Sequence, residues 1–229
     1  MKSILYILLF FSFIGYSQID SLKVKDELYR EDQFYISVTY NLLQNAPSGI
    51  SQNGFSTGFH LGFIRDFPIN KRRNKAIGIG LGLSSNSYNQ NMQILENNSI
   101  YSYTQVDESV AELKKNKFTT YLLEMPIEFR WRTSALENSK FWRIYSGFKL
   151  GYLVYNSSKL ETSSGTFKVN QNPQLNSFQY GPTLSVGYDT WNFHCYYALN
   201  SIFSDDAKFN GASPIDLQFI KIGVIFYIL

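Results

Sequence analysis

The chain has 229 residues, is 17% aromatic and 17% charged, and carries a formal net charge of only +3. That balance supplies no basic surface for nucleic acid, so no nucleic-acid partner is expected. A lone cysteine, Cys195, excludes an internal disulfide, and its position far from the N-terminus excludes a lipid anchor there. No Cys/His spacing fits a zinc site, and neither a metal nor a cofactor is expected.

The chain opens with Lys2, the apolar run Ile4 to Ile14 and then Gly15-Tyr16-Ser17, the pattern of a cleavable signal peptide over residues 1–17. That run is shorter than the roughly twenty apolar residues of a membrane helix, and no later stretch does better, so any span must be built from strands. Residues 18–33 are polar and read as a periplasmic lead, leaving 34–229 for the main domain.

Within 34–229 eight runs alternate apolar with polar or small residues, as strands do when lipid wets one face only. Residues 34–42 put Phe34, Ile36, Val38, Tyr40 and Leu42 outward. Residues 54–63 set Phe55, Phe59, Leu61 and Phe63 against Gly54, Gly58, His60 and Gly62. Residues 77–83, with a polar extension to Tyr88, alternate aliphatics with Gly78, Gly80 and Gly82, which suits a narrow lumen. Residues 120–132 turn Tyr121, Leu123, Met125, Ile127, Phe129 and Trp131 outward, and Glu124, Glu128, Arg130 and Arg132 inward. Residues 142–155 point Arg143, Tyr145, Lys149 and Tyr155 inward. Residues 178–188 and 191–199 follow, the latter with His194 inward and Cys195 outward, and 220–228 end the chain with Lys221 inward.

A soluble sandwich would also alternate, and three features favour a barrel. The connections alternate between long (43–53, 90–117, 156–177, 201–214) and short (66–75, 133–140, 189–190), the former extracellular and the latter periplasmic. Phe34, Trp131, Trp142, Tyr188 and Trp191 gather near one rim, as an interfacial girdle does. The ending Lys221-x-Gly223-x-x-Phe226-x-Ile228 matches a barrel-assembly signal, although Leu229 replaces a terminal aromatic. The expectation is an all-β, eight-stranded, antiparallel up-and-down transmembrane barrel with both termini periplasmic.

The inward set Glu124, Glu128, Arg130, Arg143, Lys149, His60, His194 and Lys221 reads as a polar core, because an eight-stranded interior is just wide enough to be filled by side chains. Glu124 and Glu128 face the strand that carries Arg143 and Lys149 and are expected to pair with them. Small barrels that act on lipids use Ser, His and a carboxylate reachable from the bilayer. Here both histidines point inward, so no catalytic residues are assigned and no enzyme is expected. The turn DFPINKRRNK, with Asp66, Asn70, Lys71, Arg72 and Arg73, concentrates basic charge beyond what a turn requires. It reads either as a periplasmic docking surface or as a solvated turn near headgroups.

GFIRDFPINKRRNKAIGIGLGLSSNSYNQN (62–91), EMPIEFRWRTS (124–134), KFWRIYSGFKLGY (140–152) and IKIGVIFYIL (220–229) together resemble the PorT family of outer-membrane barrels of Bacteroidetes. The resemblance implies an accessory part in type IX protein secretion, and in gliding motility where that exists. It brings no catalytic residues. The partners it implies are outer-membrane lipid, the barrel-assembly machinery during biogenesis and other secretion components. The alternative is a general small porin or structural outer-membrane barrel.

Overall fold

The computed structural model describes residues 32–106, 112–133 and 141–228. The expected signal peptide, the lead up to residue 31 and the connection 134–140 lie outside the described residues. The strands are β1 (Gln33–Gln44), β2 (Thr57–Pro68), β3 (Lys75–Asn89), β4 (Met92–Asn97), β5 (Ile100–Gln105), β6 (Leu113–Arg132) and β7 (Trp142–Thr162). They continue with β8 (Gly165–Asn170), β9 (Phe178–Tyr188), β10 (Trp191–Tyr197), β11 (Lys208–Phe209), β12 (Ser213–Pro214) and β13 (Gln218–Ile228).

Eight of these close a barrel in the order β1-β2-β3-β6-β7-β9-β10-β13, each antiparallel to the next, with β13 returning to β1. Closure leaves no open edge at membrane depth, where an unpaired backbone group would be costly. The closing seam runs from Phe34 opposite Ile228 to Gln44 opposite Gln218. Gly223 is required there, because a Cβ at that position would lie 2.0 Å from the Val38 carbonyl oxygen. Gly82 is required inside, where a Cβ would lie 2.1 Å from the Tyr35 hydroxyl.

The alternation sorts the faces as expected. Phe34, Ile36, Leu61, Leu81, Phe193 and Ile228 are exposed on the outer wall, while Ser37, His60, Glu124, Lys149 and Lys221 are buried within. The girdle forms at the end where β1 begins and β13 ends: the Trp142 ring lies tilted against Tyr188 at 5.5 Å and Trp191 meets Phe226 edge-on at 5.1 Å.

The structure corrects four expectations. β2 begins at Thr57, not at residue 54, because Gly54 takes a left-handed backbone (φ +73°) that breaks the ladder. The same strand runs on through Pro68, so Asp66 belongs to a strand and its side chain points into the lumen, fully buried. Between β6 and β7 a bulge sets Tyr121 opposite Tyr155 but Leu122 opposite Leu153, and the extra residue turns Tyr155 outward, against Tyr121. Finally, the long connections are largely built. β6 and β7 extend past the expected strand ends, β8 pairs with β7, and β4, β5, β11 and β12 make a second, four-stranded sheet.

This second sheet sits over the end opposite the start of β1 and the end of β13, and it packs on a cluster shared with the barrel strands. Met92, Ile94, Tyr103, Phe203, Ile215 and Leu217 are buried together with Tyr88, Phe118 and Phe219, which rise from the barrel strands. The loops and the upper lumen therefore share one apolar cluster.

Candidate functional site

The lumen is stacked in layers. At the terminus end, Arg130 Nη1 donates to Asp66 Oδ1 at 2.5 Å and Arg132 Nη1 to Asp66 Oδ2 at 2.6 Å, with all three side chains sealed from solvent. The Asp66 amide donates to Asp32 Oδ1 at 2.9 Å, and Arg130 Nη2 also donates to Gln33 Oε1. One carboxylate thus ties β2 to two guanidiniums of β6 across the intervening β3. Such a charge-assisted fork offsets the desolvation of its ions only where the geometry is close, and here each guanidinium also reaches a second oxygen, Gln33 Oε1 for Arg130 and the Arg73 carbonyl for Arg132.

The next layer is aromatic and aliphatic. Tyr35, Ile64, Tyr145, Ile225 and Tyr227 are buried together. The Arg130 guanidinium lies 4.2 Å from the Tyr145 ring centroid and 5.3 Å from that of Tyr227, so the fork rests on π-faces.

A second ionic layer follows. Glu124 lies 3.1 Å from His60 Nδ1 and 3.3 Å from Lys149 Nζ, while Lys221 Nζ donates to Asn86 Oδ1 at 2.8 Å. Both ammonium groups lie near the face of Tyr196, at 5.8 and 5.3 Å. Ser185 Oγ and His194 Nδ1 are 2.8 Å apart in the same region. Above this layer Tyr88 stacks on Phe219 at 4.0 Å and on Phe118 at 4.6 Å, closing the lumen under the loop sheet. A void of about 10 Å³ between Tyr196, Lys221 and this cap has room for no more than about one water molecule.

All eight residues of the expected polar core, Glu124, Glu128, Arg130, Arg143, Lys149, His60, His194 and Lys221, are inside, but the pairing differs in part. Lys149 does reach Glu124. Glu128 lies 3.5 Å from Arg130 Nε on its own strand, and Arg143 instead donates to the Asp189 carbonyl and lies 4.1 Å from the Phe141 ring. Arg143 stands at the very start of β7, level with the turn at Asp189, too far down the barrel to serve Glu128.

The short basic connection is a tight turn. Ile69 N–H donates to the Lys75 carbonyl at 2.9 Å, Asn70 Nδ2 to Asn74 Oδ1 at 2.7 Å, and Arg73 holds a left-handed backbone at φ +55°. Its backbone is tied to the lumen, because Arg132 Nη2 donates to the Arg73 carbonyl at 3.0 Å. Lys71 and Arg72 are exposed, Arg73 is partly covered, and Asp66 has left the group for the interior. On β13 the assembly-signal residues divide as their spacing requires. Lys221 faces in, Gly223 lies against Val38, and Phe226 and Ile228 face out.

Asp66, like Tyr155, lies on the other side of the wall from its expected place. Continuing the parity of Gly62 and Ile64 would have set it inward, but the neighbouring Pro68 and Asn70 read as turn formers.

No curated protein matches this chain. Among solved structures, Ail, the attachment invasion locus protein of Yersinia pestis, in complex with the heparin analogue sucrose octasulfate, is 15% identical. That match covers 86% of this chain and 99% of Ail, with a TM-score of 0.37. A second structure of Ail is 12% identical over 87% of this chain and all of that one, with a TM-score of 0.35. The family described as outer membrane protein beta-barrel domain matches residues 16–204, covering every barrel strand except β13. With its closed eight-stranded architecture and lipid-facing wall, the chain belongs to the outer membrane protein beta-barrel domain family.

Proposed function

We propose that this outer-membrane barrel is non-enzymatic and non-conducting and serves as an accessory component of type IX protein secretion, through contacts made by its rims and outer wall. The observation that carries the first part is the lumen, packed from the Asp66 fork to the Tyr88–Phe219 cap. Both histidines are sealed in it, at 3% and 2% exposure, out of reach of lipid or solute. The secretion role is supported by the PorT-like segments, two of which hold Lys71, Arg72 and the Trp131 rim. In this reading both termini face the periplasm, and the exposed Lys71 and Arg72 meet a periplasmic partner while the loop sheet faces outward.

The test is a clean gene deletion followed by assay of surface delivery of type IX cargo and of the assembly of other barrels. Lost delivery with normal barrel assembly is expected. Normal delivery would leave a structural barrel as the reading, and sustained conductance in planar bilayers would replace it by a small porin.

A further inference from the structure

The outer face of β3, β6, β7 and β8 changes character row by row toward the loop end. Leu83, Leu123 and Tyr152 stand side by side on adjacent strands, all exposed. Past the bulge comes Ser85 beside Tyr121 and Tyr155, whose ring centroids are 5.9 Å apart. The next row is small and polar: Ser87, Thr119, Ser157 and Asn170. The row above it is Asn89, Lys117, Lys159 and Lys168. Aliphatic, aromatic, neutral polar and cationic side chains thus follow one another as hydrocarbon, interface and headgroups do in a leaflet. At about 3.3 Å per residue and a strand tilt near 40°, the lysines stand roughly 10 Å beyond the aromatic row along the membrane normal.

Three ammonium groups directly opposite one another on neighbouring strands repel. Glu161, one row further, accepts a hydrogen bond from Lys159, which together with nearby Lys115 and Lys114 holds its carboxyl below the usual carboxylate range. Among the described residues Glu161 and Glu112 are the carboxylates of this edge, against Lys114, Lys115, Lys117, Lys159 and Lys168, so its balance is cationic. Beside the row, an open cleft of about 410 Å³ is lined by Asn53, Phe55, Asn89, Lys114 and Lys115, among others. Amides that suit sugar hydroxyls therefore lie level with the ammonium groups.

We propose that Lys117, Lys159 and Lys168 form a docking row for the phosphates of phosphorylated glycolipid headgroups in the leaflet at the loop end, with the adjoining cleft receiving the attached sugar. The row is complementary in charge to those headgroups and continuous with the lipid-facing wall. This surface stands apart from the secretion reading, because it would meet lipid whether or not the barrel serves secretion.

The test uses the full chain folded in a nonionic detergent, titrated with diphosphoryl lipid A and read by native mass spectrometry. K117Q/K159Q/K168Q should bind about 10- to 100-fold more weakly while keeping heat-modifiable migration. Dephosphorylated lipid A should bind the unaltered protein as weakly as the triple variant binds the phosphorylated form. Wild-type affinity in the triple variant, or equal affinity for dephosphorylated lipid A, would overturn the proposal. Inorganic phosphate binding as tightly as lipid A would assign the row to a free anion and also overturn it. An equal loss in K71Q/R72Q, at the other rim, would overturn the location. If the triple variant folds poorly, K168Q alone on β8 should still weaken binding severalfold.

Discussion

Arg132 Nη1 lies 2.6 Å from Asp66 Oδ2 with both side chains fully buried, joining the last residue of β6 to β2 across the width of β3. The same carboxylate holds Arg130. Removing it would take from both buried guanidiniums the carboxylate that bridges them. Asp66→Ala should therefore cost about 3–5 kcal/mol, seen as a lowered unfolding midpoint in urea titrations of the detergent-folded barrel. A loss below 1 kcal/mol would mean that the fork contributes little.

The closing seam tolerates no side chain at Gly223, where the Val38 carbonyl belongs to the paired strand and cannot rotate away. Gly223→Ala should cost about 1–3 kcal/mol and lower the yield of the heat-modifiable, folded species. Gly54→Ala, with open space around its Cβ but a left-handed backbone, should cost less and leave barrel closure intact.

The loop sheet packs on the apolar cluster at the mouth of the barrel, and thinning that cluster should loosen the loops before the hydrogen-bonded transmembrane wall. Phe203→Ala removes a ring that is 1% exposed and that touches both Tyr103 and Phe118. The expected loss is about 3–5 kcal/mol, read as faster proteolysis between residues 90 and 106 while the folded barrel band persists. Retained protease resistance would show that the loops do not depend on this cluster.

Burial pushes the Tyr103 phenol up to about 12, opposed in part by the hydrogen bond from Asn172. The unfolded segment ionises near 10 and so binds fewer protons than the folded one between those values. Stability of the loop sheet should accordingly fall as pH rises from about 10 to 12 and change no further above that. The rise in absorbance near 295 nm around pH 12 should be one phenol smaller in Tyr103→Phe than in the unaltered chain.

The barrel itself was legible because lipid outside and a crowded lumen inside impose a period of two on each transmembrane strand. Residues 178–188 were bounded correctly on that basis alone, and the inward placement of Glu124, Lys149 and Lys221 followed from it. The loop strands were not, because Lys114 to Lys117 and Lys159 to Thr162 lie beyond the bilayer, where polar residues occupy both faces.

Sequence by itself determined how many strands close the barrel and, away from Asp66 and the bulge at Tyr155, which face of each strand meets lipid, since these depend on local alternation. Tertiary structure alone decided the partners inside. Arg143 meets the Asp189 carbonyl, not Glu128, and Asp66 crosses β3 to reach Arg130 and Arg132. Those partnerships depend on the stagger between strands around the closed barrel, and the outward turn of Tyr155 depends on the bulge between β6 and β7. Both are properties of the assembled sheet, and no single strand carries them.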